Sequence, residues 1–286
     1  MFETVVIGVD GRPGGRDAIA LAVRLAAPEA RLILANVHSD GGAVGYGASQ
    51  SIAQARARAE QVLSSERAKL GERADTIVVY SGSPGRALQD LAEREAVDLL
   101  VVGSCHRSAL GRVLLGDDAW AALDRAPCAL AIAPRGYAAA ERPLRRIGVG
   151  YDHSSESERA LDVARALRGD TSATIRAREV VSLQALPTTG SIPMDWTLQT
   201  ERVMADERAR MATIDDVQGE VVYGDPGEEL EALAGDVDLL IVGSRGQGPI
   251  GRLLEGSTSA YLARHVTAPL LVLPRSSSSE AVSPTS

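Results

Sequence analysis

The sequence predicts an α/β protein built from two tandem domains, each a five-stranded, mostly parallel sheet with helices on both faces. Three observations carry this. Short apolar runs rich in Val, Ile and Leu, without polar alternation, suit strands buried on both faces. Segments of helical apolar period separate them, the pattern of βαβ units in a parallel sheet. The whole order of signals then occurs twice: Asp10 and Asp152 close one pair of strands, Gly103 and Gly243 another, each pair about 140 residues apart.

Taken in order, a first strand (Val5 to Val9; Ile147 to Tyr151) leads into a helix whose Ala18, Leu21, Ala22 and Leu25, or Ala160, Val163, Ala164 and Leu167, share one face. A second strand follows at Leu32 to Val37 and Thr174 to Val181, then an irregular stretch and a charged helical segment rich in Ala, Arg and Glu. The third strand, Thr76 to Tyr80 or Glu220 to Tyr223, runs through a Pro-Gly turn into a helix. The fourth, Asp98 to Val102 or Asp238 to Val242, delivers a loop and a last helix before a fifth strand at Ala129 to Ala133 or Leu270 to Leu273. The copies span residues 1–136 and 146–275, with residues 137–145 as a linker and a polar tail, 276–286, expected to be disordered.

A chain of 286 residues is long enough for two ordinary domains, each with its own core. No apolar run reaches the roughly 20 residues of a membrane helix, and MFETVVIGVD lacks a basic leader, so no membrane partner and a cytoplasmic location are expected. A net charge of −8 argues against nucleic acid, which demands a basic footprint. Cys105 and Cys128 lack metal or redox spacing and suggest a reducing compartment. His38, His153 and His265 are scattered, so no metal site is expected. The segment Gln54 to Lys69 mixes both charges and reads as a solvated helix face.

The stretch from Leu239 to Ser259 holds the clearest functional signal. After its apolar run, Gly243, Gly246, Gly248, Gly251 and Gly256 leave backbone N–H groups unshielded by Cβ atoms, and Ser257, Thr258 and Ser259 add hydroxyls before a helix from about Ala260. Such groups can wrap a phosphate, or the glycines can simply shape a turn. Neither the Walker A nor the Rossmann spacing is present. Asp152, at a strand end, can accept from a ribose or amino group or can cap the next helix, for which Ser154 is the expected N-cap. Arg245 is either a phosphate partner or a solvated loop residue.

The spacing Gly243, two residues, Gly246, nine residues, Gly256-Ser257 resembles the ATP-binding signature of the universal stress protein family, and the duplication makes the chain similar to its tandem members. The resemblance implies flavodoxin-like, Rossmann-like domains with ATP, with or without Mg2+, at the strand ends. By position it points to Gly150 and Asp152 near the adenosine and to the backbone of Val180 at the adenine. It gives ribose and phosphates to Gly243, Ser244, Arg245, Gly246, Gln247, Gly248, Gly256, Ser257, Thr258 and Ser259. It also implies pairing of the fifth strands, here Ala129 to Ala133 with Leu270 to Leu273, a homodimer of tandem chains and an unidentified protein partner. Glu255 departs from the pattern, since a carboxylate there opposes phosphate unless it points outward or meets a metal.

The first copy departs further. Its loop reads Gly103-Ser-Cys105-His106, nine residues, Gly116-Asp117-Asp118. His106 fills the place of the second glycine, and Asp117 and Asp118 replace the hydroxyl pair. One such charge ~4 Å from a phosphate charge costs about 4 kcal/mol at an effective dielectric of about 20. The first copy is therefore expected to have lost triphosphate binding, leaving room only for an adenosine-sized ligand at Asp10 and Val37. Cys105 and His106 are neighbours on a loop with no further ligand at suitable spacing. A regulatory ATP-binding protein is the expected function. The alternatives are a nucleotide-free interaction module and a slow ATPase, though no general base stands out.

Overall fold

Among the described residues ten strands, numbered in chain order, form one sheet in the middle of the molecule, in the order β3-β2-β1-β4-β5-β10-β9-β6-β7-β8. The computed structural model describes residues 1–39, 48–104, 127–140, 143–182, 196–244 and 257–274. In the first half these form β1 (Phe2–Gly8), α1 (Pro13–Leu25), β2 (Ala26–His38), α2 (Ala48–Leu70), β3 (Ala74–Tyr80), α3 (Pro84–Arg94), β4 (Leu99–Gly103) and β5 (Ala129–Ala133). In the second they form β6 (Arg146–Gly150), α4 (Ser155–Arg168), β7 (Thr174–Val181), α5 (Trp196–Met211), β8 (Gln218–Tyr223), α6 (Pro226–Gly235), β9 (Leu239–Gly243), α7 (Ser257–His265) and β10 (Leu270–Leu273).

Within each half all strand pairs are parallel, and the halves join where β10 runs antiparallel to β5, Leu271 opposite Ala131. This is the fifth-strand pairing the resemblance implied, and it leaves neither strand as an open edge. Every residue of both strands is buried, which accounts for their unbroken apolar runs.

Helices cover both faces. One apolar cluster joins the sheet to α1, α2, α4 and α5 through residues such as Leu21, Leu63, Leu161 and Met204; the other joins it to α3, α6 and α7 through Leu91, Leu233 and Leu262. Both clusters run across the β5–β10 seam, so the halves share their cores rather than each owning one. Small residues at Ala129, Ala131 and Ala133 let the cluster continue from one half into the other.

Two differences from the sequence reading have local causes. β2 begins at Ala26, directly after α1, and not at Leu32. Pro28 reads as a turn residue, but this part of β2 precedes the β2–β3 pairing, which starts at Leu32, and lies at the irregular start of the β1 ladder, where a missing N–H is tolerated. The stretch after β5 is no loose tether either. Residues Tyr137–Ala139 form a 3-10 turn, and the Asp17 carboxylate of α1 accepts from the amides of Gly136 (2.9 Å) and Ala138 (2.8 Å). Gly136 stands at φ 85°, a conformation that favours glycine.

Candidate nucleotide-facing edge

The carboxyl ends of β6, β7 and β9 meet at one edge of the sheet. Each crossover helix runs back against its strands, so the first turns of α4 and α7 lie at the same edge. Early N–H groups of a helix lack an intrahelical acceptor and favour anions, a preference that Glu156 and Glu158 in the first turn of α4 oppose.

Asp152 follows β6. Its Oδ1 accepts from the amide of Ser154 at 3.2 Å and from the Ser154 hydroxyl, while its own amide donates to Ser157 Oγ at 3.3 Å. Ser154 in turn caps α4, its Oγ accepting from the Ser157 amide at 3.2 Å. The N-cap is therefore Ser154, as expected, and Asp152 braces the cap. Before it, the Tyr151 hydroxyl donates to Glu158, and burial together with that carboxylate holds the phenol above its ordinary range.

Val180 lies where β7 outruns β6. The ladder ends at Gly150 opposite Arg178, with the Tyr151 amide donating to the Arg178 carbonyl at 3.0 Å. Peptide groups alternate in direction along a strand, so those of Val180 turn to the same side as those of Arg178, beyond the end of β6. Those of Val181 turn the other way, its carbonyl accepting from the Gly224 amide. The Val180 backbone thus faces the space above Asp152, a suitable edge for a flat heterocycle.

The glycines at the strand ends have packing reasons. A Cβ on Gly150 would meet Leu230 at 3.1 Å and Val242 at 3.2 Å, and one on Gly243 would meet Glu156 of α4 at 2.7 Å. Gly150 therefore admits α6, and Gly243 admits α4. Ser244 donates its amide to the Leu273 carbonyl at 3.0 Å; the residue is 1% exposed, and its hydroxyl has no hydrogen-bond partner among the described residues.

Ser257, Thr258 and Ser259 belong to the first turn of α7, three residues before the helix start expected at Ala260. Residues of this type favour helix starts, so what looks like loop in sequence is helix in the fold. Arg245, Gly246, Gln247, Gly248, Glu255 and Gly256 lie outside the described residues, as do Cys105, His106, Gly116, Asp117 and Asp118 of the first copy.

The model of the universal stress protein family matches residues 1–134 and again residues 143–274. The chain belongs to the universal stress protein family. A universal stress protein of Mycobacterium tuberculosis is 29% identical over 206 residues, 67% of this chain and 69% of the relative. Another from the same organism is 25% identical and covers 94% of each chain. Among solved structures, a universal stress protein from Archaeoglobus fulgidus superposes with a TM-score of 0.66 at 18% identity, over 95% of this chain and 96% of that one. A putative universal stress protein from Pseudomonas aeruginosa gives 0.62 at 16%, over 95% and 93%. These likenesses show that the chain shares its fold with both solved structures over nearly its whole length.

The two Usp repeats differ at their matching edges. Asp10 repeats part of the Asp152 turn, its Oδ1 accepting from the Arg12 amide at 3.0 Å, but Arg12 stands at the α1 N-cap without a side-chain hydrogen bond. No serine web forms there. Among the described residues no helix is long and apolar enough to cross a membrane.

The edge also contains a group of residues that spacing could not suggest. His153, Glu179 and Glu207 come from the β6–α4 turn, β7 and α5. Burial first, and then the charge of Glu207, raise the Glu179 carboxyl above its ordinary range, partly offset by His153.

Proposed function

We propose that the chain is an ATP-binding regulatory protein whose nucleotide sits at the carboxyl edge of the second half, with or without Mg2+. The observation that carries this reading is the convergence of the Val180 peptide edge, the Asp152 turn and the first turns of α4 and α7 on one side of β6 and β9. The Gly243, Gly246 and Gly256-Ser257 spacing connects two of those elements through residues 245–256. Val180 would read the adenine, Asp152 the ribose or amino group, and the glycine-rich segment with Arg245, Ser257, Thr258 and Ser259 the phosphates. The first half, with acidic residues at 117 and 118 and an uncapped α1, would serve structure or partner contact.

On the same reading the nucleotide changes the association of the tandem with itself, as a homodimer, or with a protein partner in the cytoplasm. It is a regulatory ligand rather than a substrate turned over quickly. Equilibrium binding of labelled ATP to the wild type and to Gly246→Asp tests this. Loss in the variant supports the site, and equal binding by the two proteins removes it. Mass spectrometry of denatured purified protein separates this reading from a nucleotide-free interaction module.

A further inference from the structure

The imidazole and two carboxylates noted above converge on one point. His153 Nε2 lies 3.3 Å from Glu179 Oε2 and 3.7 Å from Glu207 Oε2, and the three candidate ligand atoms all lie within 4.8 Å of one another. Glu179 is 7% exposed, and among the described residues neither its Oε2 nor His153 Nε2 makes a hydrogen bond of good geometry, the 3.3 Å between them being an ion-pair separation. A buried carboxylate oxygen left unsatisfied is expensive. The opposing imidazole nitrogen, likewise without a well-formed hydrogen bond among the described residues, offers the second half of a ligand set. We propose that His153, Glu179 and Glu207 form a site for a divalent cation of the zinc class.

The geometry suits such an ion. At bond lengths of 2.0–2.2 Å the edges of a tetrahedral site are about 3.3–3.6 Å, close to the two separations from His153 Nε2. Imidazole with carboxylates favours zinc and its neighbours over magnesium, and three protein ligands leave a fourth position for water. Two carboxylates facing each other in a buried setting repel, and a dication removes that cost. Arg210 already offsets part of it, its Nη1 lying 2.9 Å from Glu207 Oε2 at the exposed side of the cluster.

His153 is also held in an unusual way. It has φ 59°, a left-handed conformation uncommon for a residue other than glycine, and its ring meets the edge of Tyr151 with centroids 4.8 Å apart. The strained turn thus aims the imidazole at β7 and α5. An ion there would tie the turn carrying Asp152 to both elements, giving the proposed nucleotide edge a second anchor. The site itself does not depend on nucleotide.

The experiment is titration of the full chain with Zn2+ in the absence of nucleotide, followed by calorimetry and thermal melting, with Co2+ as a spectroscopic substitute. The expected result is one equivalent bound, a raised melting temperature, and a Co2+ spectrum of nitrogen and oxygen ligands. His153→Ala and Glu179→Gln should each weaken binding at least tenfold, with circular dichroism reporting that they fold. Glu207→Gln, at the more exposed ligand, tests the site should either of those fail to fold. Absence of Zn2+ binding overturns the proposal. So does binding undiminished in the folded variants, a thiolate-to-Co2+ band placing the ion on a cysteine, or equal stabilisation by Mg2+.

Discussion

The end of β9 and the first turn of α4 meet at Gly243 and Glu156, where a Cβ added to the glycine would stand 2.7 Å from the Cβ of the glutamate. No side chain fits between them. The matching contact in the first half is tighter still, a Cβ on Gly103 meeting the Gly14 carbonyl oxygen at 2.0 Å. Gly243→Ala should therefore destabilise the protein by roughly 1–3 kcal/mol through overpacking, and Gly103→Ala by more, because backbone is harder to move than a side chain. Urea unfolding of both variants measures this. Equal stability of Gly243→Ala and wild type would remove the packing role, leaving the ligand as the reason for the glycine.

A second prediction concerns the segment between the halves. Asp17 is 2% exposed and receives two backbone amides, those of Gly136 and Ala138. Removing the carboxylate leaves the amides of half-buried Gly136 and exposed Ala138 with water as the replacement acceptor. Asp17→Ala should cost about 1.5–3 kcal/mol, since hydrogen bonds to a charged group contribute roughly that much each and water replaces part of what is lost. Asp17→Asn, which keeps one acceptor oxygen, should lose less. The order of melting temperatures, wild type above Asn above Ala, is the check.

Cys128 supplies a pH prediction. Burial, aided by the nearby Asp98 charge, pushes its thiol from an ordinary 9.0 up to about 12. Between those values the folded chain keeps a proton that the unfolded chain has lost, so the contribution is fully present below pH 9 and lost as pH rises towards 12. The slope is at most roughly 1.4 kcal/mol per pH unit. The stability difference between wild type and Cys128→Ala should accordingly shrink across that window. In a Cys105→Ser chain, the remaining thiol should also resist a disulfide reagent at pH 8 until the protein unfolds.

Much of this fold was legible because burial on both faces leaves a plain mark. Leu239 to Val242 and Leu270 to Leu273 are unbroken apolar runs, and both are central strands. Strand starts were less legible where residues with two uses occur. Pro28 marks a turn in most contexts but lies in β2, and Ser257 to Ser259 serve a loop or a first helical turn equally well. At the edge, the position of Asp152 and the Ser154 cap could be read from local order, because caps are local chemistry. In sequence Gly243 suggests a freed amide, and only the fold reveals Glu156 against it. The His153, Glu179 and Glu207 group was beyond any motif, because three separate elements bring it together. Asp17 was missed for the same reason: its partners stand more than a hundred residues away.

The two halves differ in how their first crossover helix begins, and that difference predicts opposite responses to substitution. Ser154 caps α4 with its hydroxyl, while Arg12 occupies the α1 cap position without a side-chain cap hydrogen bond. The backbone at both is extended, φ −78° and ψ 159° at Ser154 and φ −100° and ψ 171° at Arg12, so a serine fits either place. Ser154→Ala should cost about 1 kcal/mol, and Arg12→Ser should stabilise by a similar amount. Arg12→Ser also places a hydroxyl two residues after Asp10, as Ser154 stands after Asp152. If the cap alone separates the halves, that variant gains ATP binding in the first half; if residues 117 and 118 repel phosphate as proposed, it gains stability and no ATP. Urea unfolding together with labelled-ATP stoichiometry reads both outcomes in one protein.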